Sequence, residues 1–221
     1  MIHVAAIVAI ETAFLVLASS SKDGIPLRAF VLTNMMMITV FGGVMLPAGL
    51  PQSNVGCVFY AFVLCGTMLM FRREGAQTAA KVVRAVTFNL IMLLALAVTM
   101  NSMRWDGDGA AAYHEVLSGT YRFSYASLLA FIIGQSLYAY LYARLQHLSV
   151  LSYYVLNMIF VQAVDTLVFF PIAFGASALE ILNIAGNGFA VKVAIGLLLA
   201  PFVVMLHHRP AADSNRNSEY A

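Results

Sequence analysis

Asp165 stands near the middle of NMIFVQAVDTLVFFPIAF, the stretch from Asn157 to Phe174, which is apolar and long enough to cross a bilayer. A carboxylate at membrane depth costs about 2.5–3.5 kcal/mol on insertion scales, so such a residue faces a protein interior and finds partners there. Gln162, three residues earlier, lies on the same helical face. Acid and carboxamide together form a hydrogen-bonding platform in an otherwise greasy wall. Lys192 sits about five residues into the last apolar segment, and the depth difference to Asp165 is roughly 6 Å at ~1.5 Å rise per residue. A lysine side chain bridges that distance.

Two readings of this pair stand side by side. In one, Asp165 and Lys192 form a salt bridge that merely offsets the cost of burying both charges. In the other, Asp165 accepts hydrogen bonds from a ligand's N–H groups, while Gln135, Gln162 and Asn34 read adjacent donors and acceptors. Phe169, Phe131 or Tyr138 would then stack on a flat ring. The ligand so described is planar, polar, largely uncharged and purine-like.

Two successive apolar segments repeat a short pattern. IIGQSLYAY and IFVQAVDTL each carry a mid-segment glutamine with a second polar residue three positions on, Gln135 with Tyr138 and Gln162 with Asp165. Antiparallel helices of this kind would present matched polar faces across a central cavity, as in transporters. Ser127, Phe131, Gly134, Tyr138 and Tyr142 follow steps of four, three, four and four along one side of the first of them. Each feature also has a plainer reading: glutamine, serine and glycine serve helix packing, and Tyr142, near a helix end, suits the interfacial aromatic belt.

Composition sets the frame for these residues. The chain has 221 residues, 62% of them hydrophobic and 10% charged, against about 45–50% apolar and 25% charged in soluble domains. It reads as an all-α integral membrane protein. The net charge of +2 is scattered through short loops, which does not make a nucleic-acid surface. Cys57 and Cys65 are eight apart in one apolar segment, too far for a disulfide within that helix. The histidines His3, His114, His147, His207 and His208 show no metal-ligand spacing with cysteine, so neither metal nor cofactor is expected. No H-E-x-x-H, G-x-S-x-G or pair of membrane-embedded aspartates points to an enzyme. There is no phosphate-binding G-x-x-x-x-G-K-S/T loop, so any use of ATP would come from a separate ATPase module.

The elements that must carry the polar residues follow in order. Residues 1–28 form an apolar helix, spanning or lying shallow, and a polar link; Glu11 on it is either snorkelling or interior-facing. Residues 29–206 hold six spans, from about 29 to 46, 55 to 71, 83 to 101, 121 to 143, 150 to 174 and 188 to 206. The basic turn RREGAQTAAKVVR separates the second and third, and the acidic, glycine-rich RWDGDGAAAYHE separates the third and fourth. Residues 207–221 read as a polar tail. Nine basic residues, Lys22, Arg28, Arg72, Arg73, Lys81, Arg84, Arg144, Arg209 and Arg216, fall on the side of the basic turn. Only Arg104 and Arg122 fall on the other, while Lys192 lies within a span. That asymmetry predicts a cytoplasmic C-terminus.

Several phrases carry a family resemblance: R-F-S-Y-A-S-L-L-A-F-I-I-G-Q from Arg122 to Gln135, V-Q-A-V-D-T-L-V-F-F-P-I-A-F from Val161 to Phe174, R-E-G-A-Q-T-A-A-K-V-V from Arg73, and Lys192 followed by Ala200 and Pro201. Over roughly residues 30 to 206 the chain resembles the queuosine-precursor transporters, also called vitamin uptake transporter-like proteins. The resemblance implies a six-helix inner-membrane protein importing 7-deazaguanine precursors of queuosine, such as 7-cyano-7-deazaguanine. It also implies a fold similar to the S components of energy-coupling factor transporters, which work with an ATPase module. By matching position, Arg122, Ser127, Gln135, Gln162, Asp165 and Lys192 keep the family pattern. Met68 and Tyr138 depart from it, standing where the family usually or often has aspartates. Both departures remove buried charge, and with it any proton coupling those acids would provide.

Overall fold

The computed structural model describes residues 2–21, 24–42, 44–46, 53–102, 110–145, 147–175 and 178–207, with side chains at 101, 110–120 and 178–181 left aside. The expected polar tail beyond residue 207 and much of the acidic loop lie outside the described residues. Six helices account for nearly all of the rest: α1 (Ile2–Ser20), α2 (Ile25–Phe41), α3 (Gly56–Ser102), α4 (Ala110–Leu145), α5 (Val150–Phe174) and α6 (Ala178–His207). α1, α3, α4, α5 and α6 are long and apolar enough to cross a membrane, and α2 is a shorter apolar helix. This is a multi-pass membrane protein.

α3 is two spans in one. Gly75 breaks it with φ 81 and ψ 166, a conformation that glycine alone adopts readily. The expected basic turn from 72 to 84 is therefore compressed into a single residue. The Ala-, Gln- and Lys-containing run after Gly75 has good helix propensity, and it resumes helix at once. The halves 56–74 and 76–102, with α2, α4, α5 and α6, make the six core spans expected, and α1 adds a seventh helix. Two helices also start earlier than expected: α4 at Ala110 rather than Tyr121, and α6 at Ala178 rather than near Gly188. Lys192 consequently lies well inside α6 instead of about five residues from its start.

The first half of α3 is the hub. Every residue from Gly56 to Phe71 is buried, because α1, α2, α4 and α6 all pack against α3. Its second half is peripheral, buried only along Ala79, Val82, Val86, Leu90 and Ala97. α5 buries a continuous face in pairs: Tyr153 and Tyr154, Asn157 and Met158, Val161 and Gln162, Asp165 and Thr166, Phe169 and Phe170. That four-residue recurrence is the helical period, and it turns every polar side chain of the pattern inward.

One end of the bundle gathers the basic residues around the Gly75 break. Arg28 at the start of α2 pairs with Glu74 at 2.7 Å. Arg73 donates to the carbonyl of Ser19 at the end of α1. Arg72 lies over the Tyr153 ring, 4.3 Å from its centroid. At the opposite end an isolated antiparallel bridge between Met45 and Asn54 ties the end of α2 to the start of α3. α1 docks through Glu11, which accepts from Asn34 Nδ2 at 3.0 Å. Glu11 is thus turned toward the bundle.

Candidate functional site

Asp165 and Lys192 meet in the interior. Lys192 Nζ lies 2.5 Å from Asp165 Oδ2, and both side chains are almost wholly buried. The ammonium also donates to Thr166 Oγ1 at 3.2 Å, and it lies over the rings of Tyr60 at 4.9 Å and Phe170 at 5.6 Å. Those ring faces carry partial negative charge and add to its stabilisation. Gln162 Nε2 donates to the carbonyl of Lys192 at 3.4 Å, tying α5 to the backbone of α6 beside the pair. A like-sized pair of opposite charges sums to zero, which suits a neutral occupant.

The pair borders a cavity in the half of the molecule away from the Gly75 break. Asn54 and Cys57 reach it from the start of α3, Tyr60 from one turn further in, Ser127 from α4, and Asp165 and Phe169 from α5; Met35 and Ile38 of α2 supply an apolar wall. Its free space is about 20 Å³, room for a water molecule or two. A bicyclic heterocycle needs several times that, so its entry requires a side chain such as Phe169 or Met35 to swing aside. Polar capacity is waiting around the slot. Asn54 Nδ2 and Ser127 Oγ are buried without hydrogen-bond partners, as is Gln162 Oε1 beside the ion pair. Asn54 is held in place because its Oδ1 accepts from the Cys57 amide at 3.0 Å, capping α3.

Of the residues expected at a site, Asp165, Lys192 and Phe169 border this cavity and Gln162 adjoins the pair. The other four go elsewhere. Asn34 is directed at Glu11 and the carbonyl of Phe30, one residue around the helix from the cavity-lining Met35. Tyr138 accepts from the Tyr153 hydroxyl at 2.9 Å and lines a second, smaller void with Met68, Tyr154 and Asn157. Met68 and Tyr138, the two departures from the family pattern, thus face the same space. Arg122 donates to the carbonyl of Ile172 at 3.5 Å and covers Gly175, the left-handed cap of α5. It complements the negative end of that helix rather than reaching the cavity. Gln135 borders a different cleft, between α4 and the second half of α3. The matched glutamines of α4 and α5 therefore do not face one chamber.

Asn54 and Tyr60 line this cavity, and sequence reasoning did not single them out. Asn54 looks like an ordinary turn residue, and Tyr60 like one aromatic among many; only the crossing of α3 with α5 and α6 brings them to the pair.

Fold and site together define a multi-pass α-helical membrane protein whose interior holds a small cavity bordered by a buried ion pair. Residues 54–206 match the family described as "Putative vitamin uptake transporter", and the chain belongs to that family. It is also similar to a protein of Haemophilus influenzae named "Probable queuosine precursor transporter", 30% identical over 131 residues, or 58% of this chain. The alignment spans 54% of that relative's length. No solved structure matches the chain.

Proposed function

We propose that this protein carries a queuosine precursor, 7-cyano-7-deazaguanine or a related 7-deazaguanine, across the inner membrane. The observation that carries the reading is the buried Asp165–Lys192 pair beside the unpartnered Asn54 amide and Ser127 hydroxyl. A 7-deazaguanine edge sets ring and exocyclic N–H donors next to a carbonyl acceptor. The carboxylate takes the donors, and the ammonium or the Asn54 amide takes the acceptor. Phe169 supplies a ring face for stacking. Family membership and the named relative support the same substrate class.

In the bilayer, the end holding Arg28, Arg72 and Arg73 faces the cytoplasm under the positive-inside rule, and the Asp165 cavity lies toward the outside. Uptake of labelled 7-cyano-7-deazaguanine, or restored queuosine in the tRNA of cells unable to make the precursor, tests the reading. Expression of the wild-type chain should produce both. Asp165→Asn should stop uptake while leaving the protein in the membrane. Uptake no greater than with empty vector would overturn the proposal, and full activity of the variant would make the carboxylate structural.

A further inference from the structure

Glu11 is a second acid at membrane depth. It stands tenth among the nineteen residues of α1, midway along a helix apolar enough to span, and is only partly exposed. It has no cationic partner: the ion pairs among the described residues are Arg28 with Glu74 and Lys192 with Asp165. A lone carboxylate in hydrocarbon is costly, and taking up a proton removes that cost.

The charged and titratable groups of the helices packed against α1, namely α2, α3 and α6, are engaged elsewhere. Arg28 of α2 is held by Glu74. On α3, Arg73 donates to the Ser19 carbonyl, roughly 12 Å along α1 from Glu11; Arg72 lies over Tyr153, Lys81 and Arg84 are exposed, and Cys57, Tyr60 and Cys65 are buried neutral groups. On α6, Lys192 is taken by Asp165 and His207 ends the helix. His3, two turns away on α1 itself, is exposed. What answers Glu11 is Asn34, 2% exposed. Its Nδ2 donates to Glu11 Oε2 at 3.0 Å and to the Phe30 carbonyl at 3.1 Å, whereas Oδ1 of the same carboxamide is buried with nothing donating to it. A carboxylate, all acceptor, has nothing to give that oxygen; a protonated carboxyl brings the missing donor.

We propose that Glu11 is a proton-binding site, occupied in the arrangement seen and coupled through Asn34 to solute movement. The inference rests on the transport reading above. Asn34 precedes Met35, which with Ile38 forms the apolar wall of the Asp165 cavity and is among the side chains that must swing aside to admit a heterocycle. With the proton bound, acid and carboxamide pin α2 to α1. Without it, Oδ1 has no donor and the charge no counterion, so the contact loosens and α2 is freer to shift. A proton bound from one side and released to the other as α2 shifts ties solute movement to the proton gradient.

The first probe is dicyclohexylcarbodiimide, an apolar reagent that adds to protonated carboxyls, applied to the full chain in lipid vesicles. Mass spectrometry of the digest should find the adduct on Glu11 and not on the ion-paired Asp165, formed several-fold more slowly as pH rises. Labelled 7-cyano-7-deazaguanine should enter vesicles holding the wild-type chain several-fold faster with an acidic exterior than at equal pH inside and out. Glu11→Gln, which still faces Asn34 with a carboxamide but binds no proton, should show no such acceleration. An unmodified Glu11, or equal acceleration in the variant, overturns the inference; if the variant fails to insert, the adduct and the wild-type response decide it. Wild-type uptake that ignores the gradient removes the proton coupling alone, and no uptake under either condition removes the transport reading with it.

Discussion

Asp165 and Lys192 each carry a desolvation cost that the other charge chiefly offsets, so removing one partner is worse than removing both. Breaking a buried pair costs about 3–5 kcal/mol, whereas replacing both members with uncharged residues is often neutral. Lys192→Met should therefore lower the thermal unfolding temperature in detergent markedly. Asp165→Asn combined with Lys192→Met should recover most of that loss. Uptake should stay absent in the double variant, because the ligand-reading carboxylate is gone. If the double variant transports at the wild-type rate, the pair serves the fold alone. The surrounding residues follow the same logic: a buried Ser127 hydroxyl or Asn54 amide without a partner is a cost the fold tolerates, and a ligand that pairs them relieves it.

At the scale of elements, Gly75 decides how α3 becomes two spans. Its φ of 81 and ψ of 166 lie in a region essentially closed to other residues, and nothing stands within 4 Å of where a Cβ would be. The effect of Gly75→Ala is therefore one of backbone conformation, about 1–3 kcal/mol of destabilisation, measurable as a lower unfolding temperature. An unchanged temperature would mean that the turn relaxes freely. The break itself was legible as glycine within a basic run, but its compression to one residue was not. Helix propensity of the following run competes with the turn signal, and packing of Ala79, Val82 and Val86 against the bundle settles the outcome. α5 was the most readable element, since one period places Asn157, Gln162, Asp165 and Thr166 on its buried face.

For the whole molecule, the basic residues collected at the Gly75 end fix the expected orientation. Reporter domains inserted after Gly75 and fused to the C-terminus should both report the cytoplasm, and a reporter in the link between α2 and α3 the opposite side. A split between the first two would break the even number of crossings between them. α1 sits outside this core scheme, tied to it by Glu11 to Asn34 and by Arg73 to Ser19.

The amino-acid sequence alone determined the class, the six core spans and the burial of Asp165, because span length, apolar composition and the cost of a charge in hydrocarbon are local properties of a segment. It also brought Lys192 within reach of Asp165, since rise per residue converts position into depth. Which faces meet was decided only by the tertiary structure. Gln135 and Gln162 share a pattern but sit in different surroundings, Gln162 beside the ion pair and Gln135 against the second half of α3; Asn34 turns to Glu11, and Arg122 caps α5. Asn54 and Tyr60 join the pair with no signal in their own segments. Helical period gives a residue its direction from its own axis, but the neighbour it then meets depends on how the helices cross.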